Sequence, residues 1–250
     1  MAGTALPGRL KWWTGEVTRI VRETPTASSL ILNVPGWLGH RAGQHVDVHL
    51  TAEDGYQAVR SYSIASAPAD DHLMLTIERL EDGEVSPYLV DDVAPGDSLE
   101  LLGPIGGYFI WDAEMRDPLL LIAGGSGVVP LRAMARQRAL TKSDVPTRFL
   151  YSARTADALI YRSELDNLAA SDVRFELTYT LTRAQPPGWT GYARRVDAAM
   201  LREVAWSPED HPAIYLCGPT TFVEVVADQL VALGHDPARI RIERFGPTGV

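Results

Sequence analysis

Near residue 112 the chain changes rhythm, and this limits its fold more than any other feature. Before that point it reads as short stretches rich in β-branched and aromatic residues: "TGEVTRIVRET", "ASSLILNVP", "QHVDVHLT", "VRSYSIASA", "HLMLTIERL" and "DSLELLGP". Each is bounded by Pro, Gly, Asp or Asn, and several alternate apolar with polar residues, as half-buried strands do. Six such strands predict a small antiparallel barrel or sandwich. One helical turn interrupts them at "VSPYLVDD", where Ser86 reads as the N-cap and Pro87 as a first-turn residue.

After "WDAEMRDP" strands and helices alternate. The apolar run "LLLIAG" leads to the helix "PLRAMARQRAL", and "TRFLYSA", "RFELTYTLT", "AIYLCG" and "RIRIERF" follow as strands separated by the helical stretches "YRSELDNLAA", "DAAMLREVA" and "TTFVEVVADQLVALG". Fully apolar strands between helices are the pattern of a parallel sheet wrapped by helices. The expected fold has two domains: an antiparallel β-barrel over 1–112 and an α/β parallel-sheet nucleotide-binding domain over 113–250.

The net charge of −9 argues against general nucleic-acid binding and a polybasic membrane anchor. One cysteine, Cys217, allows neither an internal disulfide nor a multi-cysteine zinc or iron–sulfur site, so no metal is expected. The N-terminal "MAGTALPGRLKWW" lacks a signal-peptide core, and no segment has the roughly 20 apolar residues of a membrane span, so a cytoplasmic protein is expected.

At "LLLIAGGSGVVPLRAMARQ" a buried strand breaks into three glycines within four residues and restarts as a helix. In open parallel sheets, ligands bind beyond the carboxyl ends of the strands, where helix N-termini offer free N–H groups. Gly124, Gly125 and Gly127 leave space for a pyrophosphate, and Pro130 suits the first helical turn. The pattern is not G-x-G-x-x-G, and a structural turn explains it equally well. A second strand end, Gly218-Pro219 in "CGPTTFVEVV", strengthens the ligand reading. Cys217 beside it reads equally as a small core residue.

These motifs, taken in order, resemble the ferredoxin–NADP reductase family of flavoproteins. "RSYSIAS" is similar to its flavin motif R-x-Y-[ST], "GEVSPYL" to its second FAD segment and "GPIGGYF" to a following turn. "GGSGVVP" is similar to its nicotinamide-nucleotide loop and "CGPTTF" to its C-G-P motif. The resemblance implies FAD contacts from Arg60, Tyr62, Ser63 and Ile64, from Ile77 and Glu78 with Arg79 and Leu80, and from Gly83, Val85 and Ser86. It implies nicotinamide-nucleotide contacts from Gly125, Ser126, Gly127, Pro130, Cys217, Gly218 and Pro219. Independently, Arg60 is a planar cation suited to two-point contact with pyrophosphate, and Tyr62, two residues along the strand, offers a flat ring on the same side. Alone, "RSYS" reads as an exposed arginine on an alternating strand, and Ser86 as an ordinary cap.

The resemblance also bears on the nucleotide. Thr182-Arg183, with Arg194 or Arg195, matches the basic residues of NADP-preferring members, since a 2′-phosphate adds about −1.5 to −2 charge. The alternative places Arg183 at the pyrophosphate or the surface and makes NADH the donor. Arg154 is a further candidate at the crevice, and Arg162 reads as a solvated helix residue.

The implied reaction moves a hydride from nicotinamide C4 to flavin N5, with Tyr62, Ser63, Cys217 and Glu243 at the reacting rings and Phe245 beside the isoalloxazine. Glu243 reads otherwise as an edge-strand carboxylate. Plant-type relatives end in a tyrosine over the ring, whereas this chain continues through Gly246, Pro247 and Thr248. With no cysteines for a fused iron–sulfur domain, the electrons are expected to leave to a separate acceptor, such as a ferredoxin. Arg132, Arg136 and Arg138 are candidates to dock an acidic one, or else form a solvated helix face. Two other readings stay open: a flavin reductase that treats flavin as a substrate, and a nucleotide-binding subunit without chemistry.

Overall fold

The computed structural model describes residues 10–51 and 55–246. All six expected N-terminal strands form: β1 (Lys11–Thr24), β2 (Ala27–Asn33), β3 (His45–Thr51), β4 (Gln57–Ser63), β5 (Leu73–Glu78) and β6 (Ser98–Ile105). They pair antiparallel in the order β4-β3-β6-β1-β2-β5. A bridge from Ile64 to Leu75, with the Ala65 N–H donating to Met74 O at 2.7 Å, brings the two sheet edges together as a barrel. Alternation supplies the inner face: Trp13 and Val17 of β1, Val46 and Val48 of β3, and Leu99 and Leu101 of β6 are buried together.

The C-terminal strands are β7 (Leu119–Gly124), β8 (Thr147–Ala153), β9 (Phe175–Leu181), β10 (Ala213–Pro219) and β11 (Ile240–Phe245), all parallel in the order β11-β10-β7-β8-β9. Between β5 and β6 lies a helical turn, α1 (Val85–Pro87). The longer helices are α2 (Val128–Leu140), α3 (Arg162–Ser171), α4 (Ala198–Val204) and α5 (Thr220–Ala232). The strand order reverses between β7 and β10, so a crevice is expected above their carboxyl ends. Both expected glycine turns stand at that point.

The position of α2 shapes everything that follows. Its residues from Val128 to Ala135 are all buried. One apolar cluster joins Val128, Leu131 and Met134 to Ala42, Ala65, Met74 and Phe109 from the barrel half and to Leu119 and Leu121 of the sheet. The helix is therefore covered on two sides and shows no polar face to solvent along this length.

Candidate active site

The glycine turn serves both purposes read from the sequence. A Cβ on Gly127 would stand 2.2 Å from Cys217 O, and one on Gly124 would stand 2.7 Å from the Phe222 ring. These two glycines let β7 and α2 close against β10. Gly125 differs: its φ is +56°, and nothing lies within 4 Å of where its Cβ would be. Gly125 and Ser126 are both half-buried, while Pro130 is buried in the first turn of α2. The turn itself is a 3-10 turn over Gly125–Gly127, so the helix starts at Val128, two residues earlier than read.

Barrel and sheet meet at this crevice. Ser63 pairs with His45 across β4 and β3, and Cys217 pairs with Glu243 across β10 and β11. His45 Nδ1 lies 4.0 Å from Glu243 Oε1, which brings the two pairs to one place. Burial raises the Glu243 carboxyl to about 7 and lowers the His45 imidazole below its ordinary value. Near neutral pH the imidazole is thus uncharged and the carboxyl sits near its midpoint. Burial also raises the Cys217 thiol well above its usual range, so this group is a neutral thiol rather than a nucleophile. Glu243 Oε2 and Thr220 Oγ1, on the first residue of α5, are shielded from solvent and have no hydrogen-bond partner among the described residues. The sequence reading missed His45; its only signal was an ionisable residue in a strand that register sets beside Ser63.

On the barrel side, Arg60 is exposed, and among the described residues its side chain bonds only to Val59 O, at 2.9 Å. Tyr62 packs partly against the barrel core, and burial raises its phenol to about 12. Tyr56 Oη donates to Glu84 Oε2 at 3.1 Å, linking the start of β4 to the α1 turn. Val59, Leu80 and Tyr88 leave large apolar surfaces exposed on the same two segments. A Cβ on Gly83 would fall 2.8 Å from Ser86 Oγ, so the turn needs glycine there. Ser86 is not the cap expected of it. Glu84 holds the N-cap position, and Ser86, buried inside α1, accepts the Leu80 N–H at 3.0 Å. Its hydroxyl folds the loop back on itself, because the chain reverses between β5 and α1. Ile64, Ile77 and Val85 are core side chains of the barrel, leaving only backbone to face a ligand; Glu78 is half-buried at the end of β5. A glycine-tight turn, an exposed guanidinium and exposed apolar surface are what an FAD pyrophosphate and rings require.

On the sheet side, Arg183 N–H donates to Arg154 O at 2.9 Å, setting both arginines side by side at the ends of β8 and β9. Both are exposed, as is Arg195, and none has an ion-pair partner among the described residues. Thr182 is half-buried, with its hydroxyl donating to Ala153 O at 3.3 Å. Arg194 is already engaged: Nε pairs with Asp197 at 3.0 Å, and the guanidinium lies over the Tyr192 ring. A cavity of about 640 Å³ opens next to this loop, lined by Arg162, Tyr179, Trp189 and Tyr192. Pro219 and Phe245 are exposed at the register-paired ends of β10 and β11, whereas Gly218 is buried. The continuation at Pro247 and Thr248 lies outside the described residues.

The α2 arginines do not form a docking face. Arg132 donates from Nη1 to Ala65 O at 2.7 Å and from Nε and Nη2 to Glu164 Oε2 at 3.0 and 2.8 Å. Arg136 forks onto Asp70 at 2.8 and 2.6 Å. Arg138, with no exposed side-chain surface, pairs with Asp172 at 2.5 Å. Helical spacing alone placed them on a free surface; the barrel and the α3 region cover it. Burial works against the Asp70 charge, but hydrogen bonds from Arg136 and Ala67 prevail and hold its carboxyl below the usual aspartate range.

Residues 16–110 match the family model described as an oxidoreductase FAD-binding domain, and residues 121–228 the one described as an oxidoreductase NAD-binding domain. Ferredoxin–NADP reductase B of Sorangium cellulosum is 34% identical over 209 residues, 82% of this chain and 84% of that one. The glycine betaine monooxygenase reductase subunit of Pseudomonas aeruginosa is 33% identical over 210 residues, 83% of this chain. The chain spans only 57% of that relative's length. Among solved structures, the flavohem-like FAD/NAD-binding domain of nitric oxide dioxygenase from Vibrio cholerae matches with a TM-score of 0.85 at 28% identity, covering 94% of this chain and 99% of that one. The barrel is thus an FAD-binding unit and the sheet a nicotinamide-nucleotide-binding unit. Among the described residues, no helix is long and apolar enough to cross a membrane.

Proposed function

The chain belongs to the ferredoxin–NADP reductase family, and from that premise we propose that it oxidises NADPH, or NADH, through bound FAD and hands the electrons to a separate acceptor. The observation that carries this reading is the meeting of Ser63 and His45 from the barrel with Cys217 and Glu243 from the sheet, bridged by the 4.0 Å approach of His45 to Glu243. FAD, when bound, supplies a ring that accepts a hydride and releases electrons singly.

In this reading the chain's own groups bind, orient and shield. Arg60 and the glycine-tight turn leading into α1 at Ser86 hold the diphosphate, and Tyr62 lies against the flavin. Gly125 and Gly218 admit the nicotinamide, while Cys217 packs behind it as a neutral side chain. Glu243 and His45 hold or pass a proton beside Ser63. Arg183 and Arg154 meet the 2′-phosphate. This favours NADPH and makes Arg154, rather than Arg194, the second basic contact. We place the domain boundary between 112 and 113, in the connection from β6 to β7. A ferredoxin fits as acceptor, as does another redox protein, and a cytoplasmic setting accords with a single buried thiol.

Anaerobic stopped-flow mixing of the FAD-loaded protein with NADPH and NADH in parallel tests the reading. Rapid bleaching of the flavin, faster with NADPH, is the expected result. Protein that stays oxidised with both nucleotides defeats it in favour of a non-catalytic subunit. Protein that loses all flavin on gel filtration, yet turns over with added flavin, is instead a flavin reductase.

A further inference from the structure

Hydride transfer demands that two rings held by different domains meet within about 3–3.5 Å, and a misplacement of about 1 Å can cost some 100-fold in rate. Two domains of one chain move against each other unless their interface prevents it. In this molecule a short set of polar contacts runs between the two halves of the site, beside the apolar packing of α2 against the barrel. The helix α2 begins directly after the glycine turn at Gly125–Gly127, and Arg132 and Arg136 follow on successive turns of one face. Each has a partner in segment 65–70, which directly continues the flavin strand β4, and each also meets Glu164 of α3.

We propose that Arg132 and Arg136 are positioning residues for hydride transfer, clamping the nucleotide turn at a fixed distance from the flavin strand; the proposal rests on the functional reading above. Arg132 holds Ala65 O, two residues beyond Ser63, and its fork also grips Glu164 at the start of α3, below the end of β8. Its guanidinium stands 5.0 Å from the centre of the Tyr161 ring. Arg136 grips Asp70 with a second fork. Asp70 Oδ2 in turn accepts the Ala67 N–H at 2.8 Å, and Gln137 Oε1 accepts the Ala69 N–H at 3.1 Å. The contacts to Ala65 and Asp70 join α2 to the strand extension, those within 67–70 and from Gln137 stiffen it, and those to Glu164 and Tyr161 anchor Arg132 at the α3 region. Apolar packing across the same interface holds the domains together, but it tolerates small sliding; a planar two-point grip on a carboxylate sets orientation as well as distance.

Stability and positioning are separable here, because a buried ion pair removed from both sides often leaves stability little changed, whereas removing one partner does not. The double variant Arg136→Met with Asp70→Asn leaves no stranded charge, because Glu164, which Arg136 also meets at 3.5 Å, keeps its bonds from Arg132, and the asparagine still accepts the Ala67 N–H. In the FAD-loaded protein the expected result is full flavin content and unchanged Tm. The nucleotide Kd stays within about twofold while the anaerobic hydride-transfer rate falls roughly tenfold or more. The deuterium isotope effect with 4-deuterated nucleotide and the long-wavelength absorbance of the stacked rings change with it. Arg136→Lys, which keeps the charge and loses the fork, is expected to fall between wild type and the double variant, and serves if the double variant folds poorly. A rate equal to wild type in either variant, or one that drops only in proportion to lost flavin, overturns the proposal. Failure of the wild-type flavin to be reduced at all overturns the functional reading and the proposal with it.

Discussion

Two sets of arginines divide this molecule. Those on α2, Arg132, Arg136 and Arg138, look from sequence like a basic helix face open to a partner, yet each is bound to a carboxylate at 2.8 Å or less. Those at the ends of β8 and β9, Arg154 and Arg183, sit in loops that look less remarkable by spacing, yet they are exposed and unpaired among the described residues. The same guanidinium serves as an internal clamp in one place and as a waiting anion contact in the other. The difference lies in what packs around it. A buried arginine needs a partner inside the protein, because its desolvated charge is otherwise too costly. An exposed one at a strand end is free for a ligand.

The comparison can be broken most readily at Arg138. Arg138→Ala removes a side chain with no exposed surface and strands the partly exposed Asp172. A loss of about 3 kcal/mol, the low end for breaking one side of a buried pair, is expected in urea unfolding. A loss below about 0.5 kcal/mol would show that the helix tolerates the position as a surface site. At the other pole, Arg183→Ala is expected to leave Tm unchanged and to weaken NADPH binding about tenfold, worth ~1.4 kcal/mol, with NADH unaffected. Equal losses for both nucleotides would move Arg183 to the pyrophosphate.

A smaller effect sharpens the clamp reading through pH. The folded protein holds the Asp70 carboxyl below its ordinary value, so the unfolded chain takes up that proton first as pH falls. The stabilisation from Asp70 is therefore complete above the ordinary aspartate range near 4 and is lost as pH drops through the folded value. Thermal melts between pH 6 and pH 3 (roughly, bracketing that range) should fall less steeply for Asp70→Asn than for wild type; identical slopes would mean Asp70 is not held by Arg136 in solution. The smallest change belongs to Arg162→Ala. Its pair with Asp166 spans one helical turn at 3.7 Å with both groups half exposed, so a few tenths of a kcal/mol is expected.

Much of the architecture is legible in the sequence. β-Branched runs between turn residues marked the barrel strands, and fully apolar runs such as "LLLIAG" marked the sheet, because strand periodicity and burial are local consequences of residue type. The glycines at 125, 127 and 218 were also locatable, since a buried strand does not break that way without a backbone reason.

Which glycine makes room for a ligand and which for a neighbouring strand was decided only in three dimensions. Gly127 meets the Cys217 carbonyl, while Gly125 faces open space. Ser86 turned from cap to loop tie because a residue distant in the turn, Leu80, offered its N–H. His45 joined the site only because register set it beside Ser63 and brought it toward Glu243. The fate of each arginine was decided the same way. Residue type and spacing along one chain report what a segment can bury or bend. Whether a charge is met by a carboxylate, by water or by a phosphate depends on elements brought against it from far along the sequence, and no local pattern carries that information.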